Sequence, residues 1–277
     1  MSAQEKYNKL KEILSGYGRL LIAYSGGVDS TFLVKAAFDV LGKNKVIACI
    51  AKGPSLPQSQ YERAVESAET IGVELITIQA DEMSDNNYLK NISDRCYHCK
   101  SSLFRKLSDT ARDNNCDTIA CGHNLDDTND FRPGNKAVKD FDIAAPLIEA
   151  GLGKKDIRAI SKKLGLPTAD IPASPCLASR IAYGQEITRE KLLQVEKAEE
   201  FLKTFGLTEF RVRHHNEVAR IEVKSEDISK LLEKDVKARL IKRLKSLGFK
   251  YITLDLEGFR SGSLNEMLTS REKDAYK

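Results

Sequence analysis

Short apolar runs and helically spaced runs take turns through the first half of the chain. "RLLIAYS", "KVIACIA", "ELITIQA" and "DTIACGH" are β-rich and almost continuously apolar. Between them, "STFLVKAAFDVLG", "SQYERAVESAETIG" and "KSSLFRKLSDTARDN" repeat their apolar positions at the spacing of a helix face. Strand, helix, strand in repetition predicts an α/β fold with a parallel sheet covered on both faces. The stretch from Asn124 to Pro146 has little regular pattern and reads as an active-site loop. A helix, "GKKDIRAISKKLG", follows with most of its lysines on the wet face, and a proline-punctuated link "LPTADIPASPCLASRIAYG" comes after it. The remainder changes character: a long helix "TREKLLQVEKAEEFLKTFG", a hairpin turning at Asn216–Glu217, a helix "EDISKLLEKDVKARLIKRLKSLG" and a strand "KYITLDL". The pattern therefore divides the chain into an α/β domain over residues 1–180 and a small α+β domain over 188–277.

Composition narrows the class. Of 277 residues, 41% are hydrophobic and 30% charged, as in an ordinary globular protein. No apolar stretch is long enough for a bilayer, and "MSAQEKYNKLKEIL" reads as a mixed-charge amphipathic helix rather than a signal peptide. A cytoplasmic protein with no membrane partner is expected. Lys and Arg number 44 against 40 acidic residues, a net charge of +4, which suits anionic small molecules and does not call for nucleic acid.

The loop "LIAYSGGVDSTFLVKAA" joins the first strand to the first sheet-covering helix. Gly26 and Gly27 allow backbone N–H groups to approach an anion at a helix start, and Ser25, Ser30 and Thr31 add hydroxyl groups. The lysine of a Walker loop is missing. Asp29 faces phosphate only if a cation such as Mg²⁺ lies between them. The alternative is a plain strand-to-helix turn with Ser25 or Asp29 as cap.

Six cysteines in such a chain point to metal ligands, catalytic groups or buried thiols rather than disulfides. Cys49 and Cys121 lie in apolar strands and read as core, and Cys116 as incidental. Cys96 and Cys99 in "RCYHC", with Cys176 in "ASPCLAS", sit among polar and turn-forming residues. Three thiolates suit a [4Fe–4S] cluster with one iron lacking a protein ligand; zinc with a further ligand, or a redox dithiol, remains the alternative.

"SGGVDS" directly after the first strand resembles the signature of the PP-loop ATP pyrophosphatases. That resemblance implies a Rossmann-like domain that cuts ATP between its α- and β-phosphates and leaves AMP on a substrate oxygen. "GHNLDDTND", after the fourth strand, is similar to the family's paired-acid motif, and Asp126 and Asp127 would complete a Mg²⁺ site with Asp29; helix capping or an Asx turn is the alternative. His123 is as well explained by packing as by proton transfer. At the level of the whole chain, "DFRPGNKA", "ASPCLASRIAYGQEIT", "FRVRHHNEVARIE" and "YITLDLEGFRSG" resemble, in order, segments of the LarE family of sulfur transferases.

The LarE resemblance implies a pyridinium-3,5-biscarboxylic acid mononucleotide as substrate, ATP and Mg²⁺ as cofactors, and assembly into a homo-oligomer. One LarE branch sacrifices the sulfur of its only motif cysteine, the position of Cys176. The presence of Cys96 and Cys99 resembles instead the three-cysteine branch, whose cluster carries a sulfide from a sulfur donor. Arg211 and Arg213 alternate on one strand and share a face, where they either frame an anion or pair with an acid such as Glu222. The resemblance makes them a substrate-phosphate patch, with Arg180 and Arg260 as further members. A tRNA thiolase and a non-enzymatic ATP or iron–sulfur carrier are the competing readings; an amidotransferase would need a glutaminase domain, and none is visible.

Overall fold

The computed structural model describes residues 1–128, 133–172, 174–260 and 262–269. The chain forms two compact units, one from Met1–Ser84 with Cys96–Ser174, the other from Asp85–Arg95 with the chain from Pro175 onward.

In the first unit, helix α1 (Ala3–Ser15) precedes strand β1 (Leu20–Ala23), helix α2 (Val28–Leu41), strand β2 (Val46–Lys52), helix α3 (Gln58–Ile71) and strand β3 (Glu74–Gln79). The chain then leaves for the second unit, where α4 (Asn86–Leu89) is a single turn, and returns in α5 (Arg95–Asp113) and β4 (Thr118–Cys121). Helices α6 (Gly134–Asp140), α7 (Pro146–Glu149) and α8 (Lys154–Lys163) complete it. The sheet is parallel, in the order β3-β2-β1-β4.

Successive strand residues serve opposite faces. Leu20, Ile22, Val46, Ala48 and Ile50 pack with α1, α2, α3, α7 and α8 in one core, and Leu21, Ile47, Cys49 and Cys121 pack with α5 and α6 in another. That two-sided burial is why β1 and β2 are almost continuously apolar, whereas β3, at the sheet's edge, carries Glu74, Thr77 and Gln79. The strand order also fixes the site: β2 and β4 flank β1 on opposite sides, so the carboxyl ends of β1 and β4 mark the topological switch point where α/β sheets bind ligands.

In the second unit, α9 (Arg189–Lys203) leads into the hairpin of β5 (Phe210–His215) and β6 (Val218–Val223), then α10 (Ile228–Leu232), α11 (Lys234–Ser246) and β7 (Tyr251–Leu254). The hairpin turns at Asn216, whose φ of +55° suits an asparagine, and β7 adds parallel to β6. Leu202, Phe210, Val212, Ile221, Leu240 and Leu244 form its core.

Three expectations are corrected. α5 begins at Arg95, so "RCYHC" opens a helix rather than lying in a turn. The stretch Asn124–Pro146, of which 129–132 fall outside the described residues, contains α6, whose Ala137 and Val138 are core residues, and Ala144 bridges to Ala120 at the sheet edge. The helix expected over Glu226–Gly248 breaks at Glu233, whose ψ of 137° is extended, and both pieces thereby bury leucines, Leu231 and Leu240, in one core. The second unit takes in 85–95, where Asn91 Nδ2 donates to the carbonyls of Ala182 at 2.8 Å and Gln185 at 2.9 Å. Among the described residues no helix is long and apolar enough to cross a membrane.

His214 is buried in the second unit, with Nε2 3.0 Å from Gln194 Oε1. Burial, helped by Lys191 and His215, holds its imidazole down to about 4. The unfolded histidine titrates near ~6.5, so between those values the unfolded chain binds more protons and stability falls as pH falls. We expect urea melts from about pH 7 down to about pH 4.5 to lose up to roughly 3 kcal/mol from this group, and His214→Gln to flatten that part of the profile.

Candidate functional site

The turn from β1 into α2 is built around its glycines. Gly26 has φ +68°, and a Cβ there would lie 2.5 Å from the Ala64 Cβ of α3. Gln60 of α3 donates to the Ser25 carbonyl at 2.9 Å, so the loop is pinned against that helix. Ser25 Oγ lies 3.0 Å from Ser30 Oγ, and Ser30 Oγ donates to the Gly27 carbonyl at 3.2 Å. α2 opens on Gly27 with no side-chain cap. Neither Ser25 nor Asp29 takes the capping role, and the N–H groups of the first turn are left for an anion, at the positive end of the helix dipole. The end of β4 presses on the same turn, since a Cβ on Gly122 would meet Ser30 N at 2.8 Å.

Asp29 is the electrostatic centre of this turn. One oxygen, Oδ2, accepts a hydrogen bond from Lys154 Nζ of α8, while Oδ1 is buried with no hydrogen-bond partner. Burial pushes the carboxyl up, Lys154 pulls it back, and Asp127 adds a further push. Asp127 is itself buried and accepts from Asn124 N at 3.1 Å. Asp126 is exposed and its Oδ2 accepts from Lys154 N, at the start of α8, at 2.7 Å. Among the described residues no three His, Cys, Asp or Glu side chains are gathered as a metal site. Asp29, with its unsatisfied oxygen, is the group here whose chemistry fits a divalent cation, and Asp127 is the acid that acts on it.

Two lysines escaped the sequence reading. Lys154 looked like one of several wet-face lysines; the signal was its place directly after Gly153, at the first position of α8. Lys100, next to Cys99, has Nζ 2.5 Å from His123 Nε2 and packs so closely that a Cβ on Gly134 would meet its Cδ at 2.6 Å. His123 is thereby tied to a cation at the end of β4.

Cys96 and Cys99 are half-buried in the first turn of α5, three residues apart and so on neighbouring positions of one helix face. Both belong to the first unit; Cys176, exposed, belongs to the second. The Cys176 carbonyl accepts from Ser179 N at 3.0 Å and from Arg180 at 3.2 Å. Cys49 and Cys121 are core thiols as expected, with burial pushing Cys49 up to about 12.

The arginines separate by role. Arg213 gives two hydrogen bonds to Glu222 Oε2, at 3.0 and 2.8 Å, and others to Ser179 O and Ser263 Oγ, each at 2.9 Å. Arg180, fully buried, pairs with Glu199 at 3.0 Å and donates to Pro175 O at 2.6 Å. For both, the acid-paired arrangement is the observed one. Burial pushes the Glu222 carboxyl up, but Arg213, Ser263 and Arg220 more than offset it and hold it low. Arg211 donates to Phe210 O at 2.6 Å and stacks 5.0 Å from the Phe259 ring centre; burial, then Arg180 and Arg213, bring it down to about 10. An arginine so disfavoured as a cation is one an anion would relieve. Arg260 is surrounded by acids, with Glu257 at 2.9 Å and Glu266 at 3.4 Å.

Comparison with known proteins places this arrangement. Residues 4–116 match the NAD synthase family. The chain is 43% identical to an uncharacterized protein of Synechocystis over 96% of its own length and 99% of the relative's. It is 37% identical to the pyridinium-3,5-bisthiocarboxylic acid mononucleotide synthase of Lactiplantibacillus plantarum, over 92% of this chain and 91% of that one. The chain belongs to the LarE family. LarE-family membership and the PP-loop make it an ATP-using sulfurtransferase. A tRNA-specific 2-thiouridylase of Azorhizobium caulinodans is 27% identical over 62% of the chain and 54% of its own.

The glycines of this LarE-family loop divide cleanly. Gly26→Ala combines a positive φ with a 2.5 Å clash, and we expect a loss of about 1–3 kcal/mol in denaturant melts. At Gly27 a Cβ would meet only Ser25 Oγ at 3.4 Å, so Gly27→Ala should fold with wild-type stability and bind ATP more weakly by calorimetry. In the second unit, Glu222→Ala strands the buried Arg213, and the same melts should show a loss of about 3–5 kcal/mol.

Proposed function

We propose that this chain adenylates a carboxylate of pyridinium-3,5-biscarboxylic acid mononucleotide with ATP and replaces it by a thiocarboxylate. The observation that carries the reading is the collinear likeness, over 92% of the chain, to a relative named for making the bisthiocarboxylic product. The 2-thiouridylase likeness covers less of both chains and leaves the tRNA reading weaker.

A carboxylate is a poor acyl donor because its leaving group would be oxide. In the first step a substrate carboxylate oxygen bonds to the α-phosphorus of ATP and the bond to the β-phosphate bridging oxygen breaks, releasing pyrophosphate. The uncapped first turn of α2, with Gly26 and Gly27 keeping the backbone open, offers N–H groups to that phosphate chain. Ser25 and Ser30 hold the turn's shape through their mutual contact. Mg²⁺, held by Asp29 with help from Asp127 and Asp126, would offset the charge gathering on pyrophosphate. In the second step sulfide adds to the acyl carbon and AMP leaves carrying the former carboxylate oxygen, so the carbonyl carbon exchanges one oxygen for sulfur.

Cys96, Cys99 and Cys176 are proposed to hold a [4Fe–4S] cluster. Two thiols share one helix face, and within the second unit Arg95 donates to Ala178 O, two residues past the third, at 3.0 Å. When bound, a three-thiolate cluster supplies an iron open to incoming sulfide. Arg211, half-buried where Arg180 and Arg213 are buried, is the proposed partner of the substrate phosphate, with Arg213, Arg180 and Arg260 shaping the charge around it. A cytoplasmic homo-oligomer fed by sulfide or a sulfur donor belongs to the same reading.

The test is anaerobic. Protein given ATP, Mg²⁺, the biscarboxylic mononucleotide and sulfide should release pyrophosphate and yield product whose mass shows oxygen replaced by sulfur. Wild type should carry about four irons per chain with matching acid-labile sulfide, and Cys99→Ala should lose them. Sulfur insertion without any iron after reconstitution would transfer the role to Cys176 alone.

A further inference from the structure

Helix α11 of the second unit concentrates positive charge. Its sequence, "KDVKARLIKRLKS", holds six cations against one acid, Asp235, a net +5 where the whole chain reaches only +4. Lys234, Lys237, Arg239, Lys242, Arg243 and Lys245 are all exposed, and among the described residues none of the six is in an ion pair. Arg239 rests on the Phe205 ring, 5.2 Å from its centre. Other helices spend or balance their charge. α8 turns three of its five cations to Asp29, to Asp170 and to the carbonyls of Ala169 and Ile171, and α9 sets four acids against four cations. In α11, Arg243 and Lys245 suit the helix dipole, but Lys234 and Lys237 stand near its positive end. Lys234–Lys237, Arg239–Arg243 and Lys242–Lys245 are like-charged neighbours three or four positions apart, which repel.

The two faces of the helix differ in what they leave open. Leu240 and Leu244 are buried and Val236 packs beside them in the second unit's core, so the apolar stripe is spent and cannot enter a bilayer. On the outer face Ile241 is 39% exposed, with Ala238, also exposed, one turn before it. Lys237 and Lys245 flank Ile241 four positions to either side. An apolar spot inside a rim of lysines has the plan of a protein-docking surface. Single-stranded nucleic acid would call for aromatic groups to stack on, and α11 has none. A second copy of the chain brings the same surplus of positive charge, which opposes its approach.

We propose that the outer face of α11 docks an acidic protein, one that sets carboxylates on the lysine rim around an apolar side chain seated against Ile241. The cations steer the encounter and fix its register, and the contact at Ile241 and Ala238 holds it. The surface uses no residue assigned to ATP, sulfur or substrate phosphate.

The probe is a fluorescein-labelled helical peptide with glutamates around one central leucine, and its anisotropy follows binding at low and at physiological salt. Wild type should bind it at micromolar strength, and more weakly as salt rises. Lys242→Glu with Lys245→Glu should bind about 10-fold or more weakly. Lys155→Glu with Lys163→Glu makes the same change of net charge on exposed positions of α8, and should alter binding less than about 3-fold. Ile241→Ser, and separately a peptide with serine for its leucine, should each weaken binding, and the two together should cost no more than either alone. Circular dichroism checks folding, and Lys242→Gln with Lys245→Gln replaces the reversed pair if that one does not fold. No binding by wild type, equal losses in the two reversed pairs, or equal binding of the serine peptide each overturns the proposal. Tighter binding of a short oligouridylate or of phosphatidylserine vesicles than of the peptide, lost in the α11 pair, overturns it in favour of nucleic acid or a membrane. A molar mass by light scattering that falls in the α11 pair overturns it in favour of a second copy.

Discussion

A carboxylate held at the start of a helix, out of water, with only one oxygen satisfied, governs the first unit. Asp29 is tolerable there because α2 presents the positive end of its dipole and because Lys154 reaches across from α8. Around it, Gly26 brings the loop against α3, Gly122 brings β4 against α2, and Asp126 fixes the start of α8. Each close approach serves a turn whose unfilled valences are N–H groups and one carboxylate oxygen. The sheet order puts that turn where the connections from β1 and β4 diverge, the place where such sheets bind ligands.

The second unit solves a related problem with the signs reversed. Three arginines, 180, 211 and 213, share a small region with Glu199 and Glu222. Two of them are held by those acids in multiply bonded pairs, which makes them structural cations. Arg211 stacks on Phe259 and donates to the Phe210 carbonyl, and burial beside Arg180 and Arg213 lowers its proton affinity, which an anion placed there would restore.

How much was legible depended on whether the determinant was local. Four strands, their parallel order of appearance and the glycine turn follow from patterns within a few residues, and each is where the pattern puts it. Cys49 and Cys121 read as core because both neighbours in their strands were apolar. Lys154 was not legible: nothing beside it distinguishes it from Lys155, and its role comes from a partner 125 residues away. The pairing of Arg213 was legible only as one of two alternatives, since alternation gives a shared face but not which side chain Glu222 prefers. Glu222 lies opposite Arg211 in register, yet it bonds the diagonal Arg213. The membership of 85–95 in the second unit was hidden for the same reason, being decided by Asn91 reaching carbonyls some ninety positions on.

That last feature bears on how the protein is made. The ribosome emits residues 85–95 long before Ile181, Ala182 and Gln185, the carbonyls that Asn91 must find. The second unit therefore cannot close from one continuous stretch of chain; its 85–95 segment is made before residues 96–174 of the first unit and waits for the residues after 174. Domains usually fold in turn, from the N-terminus, during synthesis. Here the order is interlocked: among the described residues the chain passes between the units at 84–85, 95–96 and 174–175, and the last two passages run into Cys96 and into Pro175, the residue before Cys176. The thiols proposed to share one inorganic partner are thus set beside the last seam of the chain to be sewn, so a metal centre assembled there would follow folding rather than guide it.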